Sequence, residues 1–154
     1  MAAYKATTPY APKLFVTEML VTAAQLKSWT TTNPIPLISA PGANRIISVL
    51  NFTFIFKSGG VAFTATDGSA AINYGPLYSG SRIMTFVEAQ YGLTGTTDYF
   101  YDINIYNDMN RVAYASSTAV NAGVYLNSST DTVKLTGSGT FKVVSTYKIL
   151  ETNF

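Results

Sequence analysis

Between Arg45 and Lys57, apolar side chains recur at every second position. Ile46, Leu50, Phe52, Phe54 and Phe56 fall on one side, with Ser48 the exception; Arg45, Ile47, Val49, Asn51, Thr53, Ile55 and Lys57 fall on the other. A period of two sustained this long is a strand with one apolar face, and it is incompatible with a helix. Turn signals punctuate the rest of the chain: Pro41-Gly42, Ser58 to Gly60, Asp67-Gly68, Ser79 to Ser81, residues 90–97, Asn107 to Asn110, Asn127 to Thr130 and Gly137 to Gly139. Glycine and the small polar residues take the backbone angles that such corners need.

Between these corners lie short runs with strand character. A first strand is expected over Lys13–Leu20, and Pro34 and Pro36 mark an edge strand, because proline donates no ladder hydrogen bond. Ser58 to Gly60 is expected to close a hairpin onto Val61–Thr66. Further strands are expected at Ala71–Tyr78, Ile83–Ala89, Tyr99–Tyr106, Val112–Ser116, Gly123–Leu126 and Asp131–Leu135. The last is Thr140–Leu150, where Phe141, Val143, Tyr147 and Ile149 oppose Lys142, Val144, Thr146 and Lys148. Only Thr22 to Gln25 reads as a helix start, as a capping box for one or two turns. Many short strands with closely spaced turns predict an all-β fold, an antiparallel β-sandwich of jelly-roll type. Residues 1–12, with two prolines and two tyrosines, read as an extended N-terminal arm; residues 13–154 read as a single β-sandwich domain.

Composition narrows the chemistry. Charged residues make up 12% of the chain and the formal net charge is +2. Lysines and arginines are scattered singly, so no basic stripe for a nucleic acid is present. A surface this poor in charge suits a protein packed against other proteins better than a free monomer. The chain has no cysteine and no histidine. Disulfides, thiolate metal sites and every triad built on histidine are therefore excluded. The first residues do not follow the basic-then-apolar order of a secretory signal, so synthesis in a cytoplasm is expected. No apolar run approaches the roughly 20 residues that cross a bilayer, so no membrane partner is expected.

Two acidic arrangements merit weighing. Glu88 and Asp102 could face each other across a sheet as a glycosidase pair. Asp102, Asn104, Asn107 and Asp108 offer oxygen ligands at short spacing, but not in an EF-hand pattern. Solvated carboxylates and ordinary turn chemistry explain both sets. No catalytic residue, metal ligand or cofactor site is assigned.

The aromatic residues are more informative. Phe52, Phe54, Phe56 and Phe63 read as core. Tyrosine joins an apolar ring to a polar tip and suits interfaces and sugar stacking. Tyr74, Tyr78, Tyr91, Tyr99, Tyr101 and Tyr106 lie in or near a more polar central region. From this supply Tyr4, Tyr10, Trp29, Tyr74, Tyr78 and Tyr91 are the expected partner contacts.

One ordered set of motifs carries a resemblance. Thr22 to Gln25 is followed by a strand ending Ile38-Ser-Ala-Pro-Gly42, then Arg45 to Val49, then Gly59-Gly60 and a hydrophobic segment. Near the end, Asn121 to Leu126 precedes Thr136-Gly-Ser-Gly-Thr-Phe-Lys-Val-Val-Ser-Thr-Tyr147. This order resembles the small jelly-roll or β-sandwich proteins of bacteriophage virions, which serve on heads as decoration, auxiliary or fibre components. It spans roughly two-thirds of the chain, and residues 67–120 take no part in it. The resemblance implies a structural, non-enzymatic virion protein that binds the capsid or other virion proteins. It also implies a homo-oligomer, with a trimer favoured. The alternative it leaves open is a head- or tail-fibre module that binds a carbohydrate or receptor.

Overall fold

The computed structural model describes residues 13–63, 69–77, 81–87, 95–105, 119–129 and 136–152. The elements run β1 (Leu14–Thr22), α1 (Ala23–Ser28), β2 (Ile35–Ile38), β3 (Arg45–Ser58), β4 (Ser69–Tyr74), β5 (Ser81–Val87), β6 (Tyr99–Asn104), β7 (Val124–Ser128) and β8 (Gly139–Glu151). They form two antiparallel four-stranded sheets, ordered β1-β8-β3-β6 and β2-β7-β4-β5. First pairs with last, second with seventh, third with sixth and fourth with fifth. That is one long antiparallel ribbon folded at its middle. Rolling it adds the pairings β3–β8 and β4–β7, giving the jelly-roll order expected from the turn spacing. The predicted arm 1–12 and the strands at Val112–Ser116 and Asp131–Leu135 lie outside the described residues.

The core shows why these segments form strands. Phe52, Phe54 and Phe56 of β3 and Phe141 and Val143 of β8 fill the inner face of the first sheet. Phe54 and Phe141 stack with ring centroids 5.6 Å apart, and Phe56 meets Phe63 edge-on at 6.2 Å. Against them pack Ile72 and Tyr74 of β4 and Val124 and Leu126 of β7. Two buried polar tips find interior acceptors, one of them across the two sheets. The Tyr74 hydroxyl donates to the Ile47 carbonyl, and the Trp29 indole Nε1–H donates to the Leu126 carbonyl at 3.2 Å.

The expected faces of β3 need correction in its first half. Ile47 and Val49 are buried there, and Ile46 and Ser48 alternate to the other side. The register with β8 slips between Val49 and Asn51, so Leu50 is an extra residue, a β-bulge. One inserted residue exchanges the two faces, which returns Phe52, Phe54 and Phe56 to the core. The Leu50 carbonyl accepts the Ile105 N–H at 2.9 Å, so the bulge leaves no stranded acceptor.

The expected hairpin from β3 onto Val61–Thr66 is also corrected. β3 pairs with β6 and β8, and residues 59–63 are not a strand. They lie along the approach to β8: Gly59 N–H donates to the Ser138 carbonyl at 3.0 Å, and Ser138 N–H donates to the Val61 carbonyl at 2.9 Å. Residues 64–66 lie outside the described residues.

Helix α1 has the anticipated capping box. Thr22 Oγ1 accepts the Gln25 N–H at 3.3 Å, and Gln25 Oε1 accepts the Thr22 N–H at 2.9 Å. The turn swings Leu26 and Trp29 into the core. Thr22→Ala is expected to lower stability by about 1 kcal/mol, while Thr22→Ser stays close to the parent. Urea unfolding of the three proteins checks this; equal midpoints would remove the cap from the account.

Candidate functional site

The two sheets differ on their outer faces. At the centre of the second sheet, outward positions Ala71, Asn73 and Asn127 are fully buried. On the first sheet the outward positions are open. Leu14, Val16 and Leu20 of β1 and Phe100 of β6 are 57%, 63%, 55% and 66% exposed. Strand register arranges them in rows. Leu20, Lys142, Ile55 and Phe100 cross the sheet in one row, and Glu18, Val144, Thr53 and Asp102 in the next. This is a mixed face, with large apolar side chains exposed along both edges of the sheet and polar and charged residues between them, and exposed large apolar side chains grouped on one face point to an interaction surface.

Two polar arrangements are fixed within it. Lys142 Nζ donates to Glu18 Oε2 at 2.7 Å, so the single charge on the outward side of β1 has a partner from its own chain. Asp102 Oδ1 accepts from Thr53 Oγ1 at 2.6 Å and from Asn51 Nδ2 at 3.0 Å. The Thr53 bond first, and the Asn51 bond second, hold the Asp102 carboxyl below the usual carboxylate range; burial opposes them slightly.

A depressed folded-state pKa stabilises the fold above the unfolded pKa, and that contribution is lost as pH falls through the folded value. Because Asp102 is nearly fully solvated, the contribution to stability is small. Thr53→Val is therefore expected to raise the Asp102 pKa toward its ordinary value. An NMR titration of the Asp102 carboxyl carbon reads this directly, and an unmoved midpoint would mean that the hydroxyl is not the cause.

The aromatic contacts expected from the sequence separate into two groups. Trp29 and Tyr74 are buried, at 0% and 5% exposure, and contribute to the core rather than to a contact face. Each has an interior acceptor for its polar tip, so both are corrected to structural residues. Tyr4, Tyr10, Tyr78 and Tyr91 lie outside the described residues. Glu88, Asn107 and Asp108, weighed above beside Asp102 and assigned no role, lie outside them too. Among the described residues no group of three or more acidic, histidine or cysteine side chains could hold a metal. No described helix is long and apolar enough to cross a membrane.

Sequence reasoning missed Leu14, Val16, Leu20 and Phe100. The signal was present in β1, where Leu14, Val16 and Leu20 alternate with Phe15, Met19 and Val21, making both faces apolar. A strand that is hydrophobic on both sides needs two neighbours, and here only the inner side faces the core. No family model matches the chain, and no curated protein matches it in sequence.

Proposed function

We propose that this chain is a structural bacteriophage virion protein that binds the capsid surface as a decoration or cement subunit and associates with copies of itself. One observation carries the reading: on the outer face of the β1-β8-β3-β6 sheet Leu14, Val16, Leu20 and Phe100 stand exposed, whereas Ala71, Asn73 and Asn127 at the centre of the other sheet's outer face are buried. The ordered motifs at residues 21–66 and 121–147, the low charge and the absence of histidine and cysteine support it. Binding would come from burial of Leu14, Val16, Leu20 and Phe100 against a shell, with the polar row around Thr53 and Asp102 lying among them to be hydrogen-bonded there.

Quantitative mass spectrometry of purified particles of the encoding virus tests this. Copies on the order of hundreds fit a shell-decorating subunit, and a few dozen or fewer fit a vertex, fibre or tail. Absence from the particle overturns the proposal.

A second reading rests on Phe100 beside Asp102. An exposed ring next to a carboxylate and amide is the chemistry that stacks on and hydrogen-bonds to a sugar, so a glycan- or receptor-binding module is the alternative function. A glycan array with the parent protein and Phe100→Ala decides it. Binding lost in the variant favours this reading, and no binding by the parent removes it.

A further inference from the structure

We propose that two copies of this chain join edge to edge through β1, in antiparallel pairing about a two-fold axis at Thr17, to make one continuous eight-stranded sheet. The inference deepens the self-association part of the proposed function and does not depend on attachment to a particle.

The four edge strands of the two sheets are β1, β6, β2 and β5. Natural sheets protect such edges with prolines, bulges, charge or short length, because an open row of backbone groups recruits another strand. Three of the edges carry such devices. β2 is four residues long, contains Pro36 and slips register before Ile38. β5 is interrupted by a register slip opposite Ile72 and Asn73. β6 is six residues long and carries Asp102 on its outward side. β1 is the least protected: it runs nine residues, unbroken in register and without proline, and its one outward charge, Glu18, is held by Lys142 of the neighbouring strand. Among the described residues it pairs only with β8.

The occupant follows from side-chain complementarity. In a two-fold antiparallel pair, a register centred on Glu18 would set two carboxylates directly opposite each other, which is unfavourable. A register centred on Thr17 places Leu14 opposite Leu20 of the second copy and Val16 opposite its Glu18. Each exposed leucine then faces one leucine of the other copy, giving two Leu14–Leu20 pairs, and each Glu18 keeps its own Lys142 at 2.7 Å. On the inner side Thr17 meets its counterpart across the axis. Thr17 Oγ1 is buried and has no hydrogen-bond partner. A χ1 rotation turns it to the seam, where paired threonines bond across strands.

The paired positions 14–20 give about 24 Å of seam at ~3.4 Å per residue. Strand addition supplies main-chain hydrogen bonds along this seam, and the leucine pairs set the register. The symmetry is that of a dimer, since an isologous edge closes after two copies. A dimer is thus expected where the resemblance implies a trimer. The joined sheet carries the two β6 strands, and with them Phe100, at its opposite outer edges.

The full chain is tested by sedimentation velocity from low to high micromolar concentration, beside Leu20→Lys. The parent is expected to dimerise. The variant is expected to dissociate about 100-fold more readily, with an unfolding midpoint equal to the parent's at concentrations where both are monomeric, because Leu20 is exposed. Since the chain contains no cysteine, engineered thiols report the register without background. The double variant Leu14→Cys/Leu20→Cys is expected to form covalent dimers on mild oxidation. Each single variant is not, because its own thiols lie about 20 Å apart along the seam. A parent that stays monomeric overturns the proposal. So does an oligomer that neither weakens with Leu20→Lys nor cross-links in the double variant. Dimerisation with no protein on the particle would instead leave this inference standing and remove the virion reading.

Discussion

Trp29→Ala is expected to destabilise the fold by about 4 kcal/mol, the largest single loss for a side chain that sequence alone places at an interface. The indole is fully buried, and its Nε1–H reaches the Leu126 carbonyl at 3.2 Å. It therefore ties the segment between α1 and β2 to β7. Truncation removes the transfer energy of the ring and leaves a cavity that a two-sheet core closes only partly. For a chain of this size the melting temperature should fall by about 10 °C. Trp29→Phe separates packing from hydrogen bonding. It keeps most of the ring and loses the donor, so a drop of about 1–2 kcal/mol is expected. Urea unfolding of both variants measures the two quantities. An alanine variant within about 1 kcal/mol of the parent would show that the ring is not a core element.

Tryptophan and tyrosine show where the sequence was hard to read. The property that suits them to an interface, an apolar body with a polar tip, equally suits a core position with one nearby acceptor. Tyr74 found its acceptor in Ile47 across the space between the two sheets, and Trp29 found its acceptor in Leu126 of β7. No local pattern records such a distant carbonyl. Alternation, by contrast, was readable wherever register is continuous. In β8 the buried Phe141, Val143 and Tyr147 fall on the side the sequence assigns, with Ser145 joining them as a buried polar residue. In β3 alternation fails at Leu50, and Ser48 was the visible trace: a polar residue on an apolar face marks a slip in register, not a polar core position. The Pro36 edge and the Thr22 cap were legible because their chemistry is local. The hairpin expected after Gly60 was not, because Gly59 and Gly60 serve a crossing between sheets, where chain neighbours in sequence part company. The open face of β1 was legible in principle, since both sides of that strand are apolar. Which side stays uncovered depends on the order of strands, and that is a property of the whole ribbon.

Gly139→Ala is expected to cost about 3 kcal/mol, and the size comes from crowding more than from strain. Gly139 opens β8 with φ +133°, a region that side chains rarely enter. An added Cβ would run into the Lys57 carbonyl oxygen and stand 3.1 Å from the Gly59 nitrogen. Both are backbone atoms of the β3 end and its exit, so they cannot rotate aside as a flexible side chain would. Relief requires β8 to pull back from Ser58, its partner in register, at the point where the longest pairing of the first sheet begins. Gly42 supplies the control. Its φ is +100°, yet nothing lies within 4 Å of an added Cβ. Gly42→Ala therefore carries only the conformational penalty, about 1 kcal/mol. Denaturant midpoints of the two variants, taken side by side, isolate the close approach of β8 to the Lys57 carbonyl. If both lose the same amount, backbone strain alone accounts for Gly139. If Gly139→Ala loses the greater amount as expected, the glycine is what lets the last strand dock beside the end of β3 and complete the sheet whose outer face remains open.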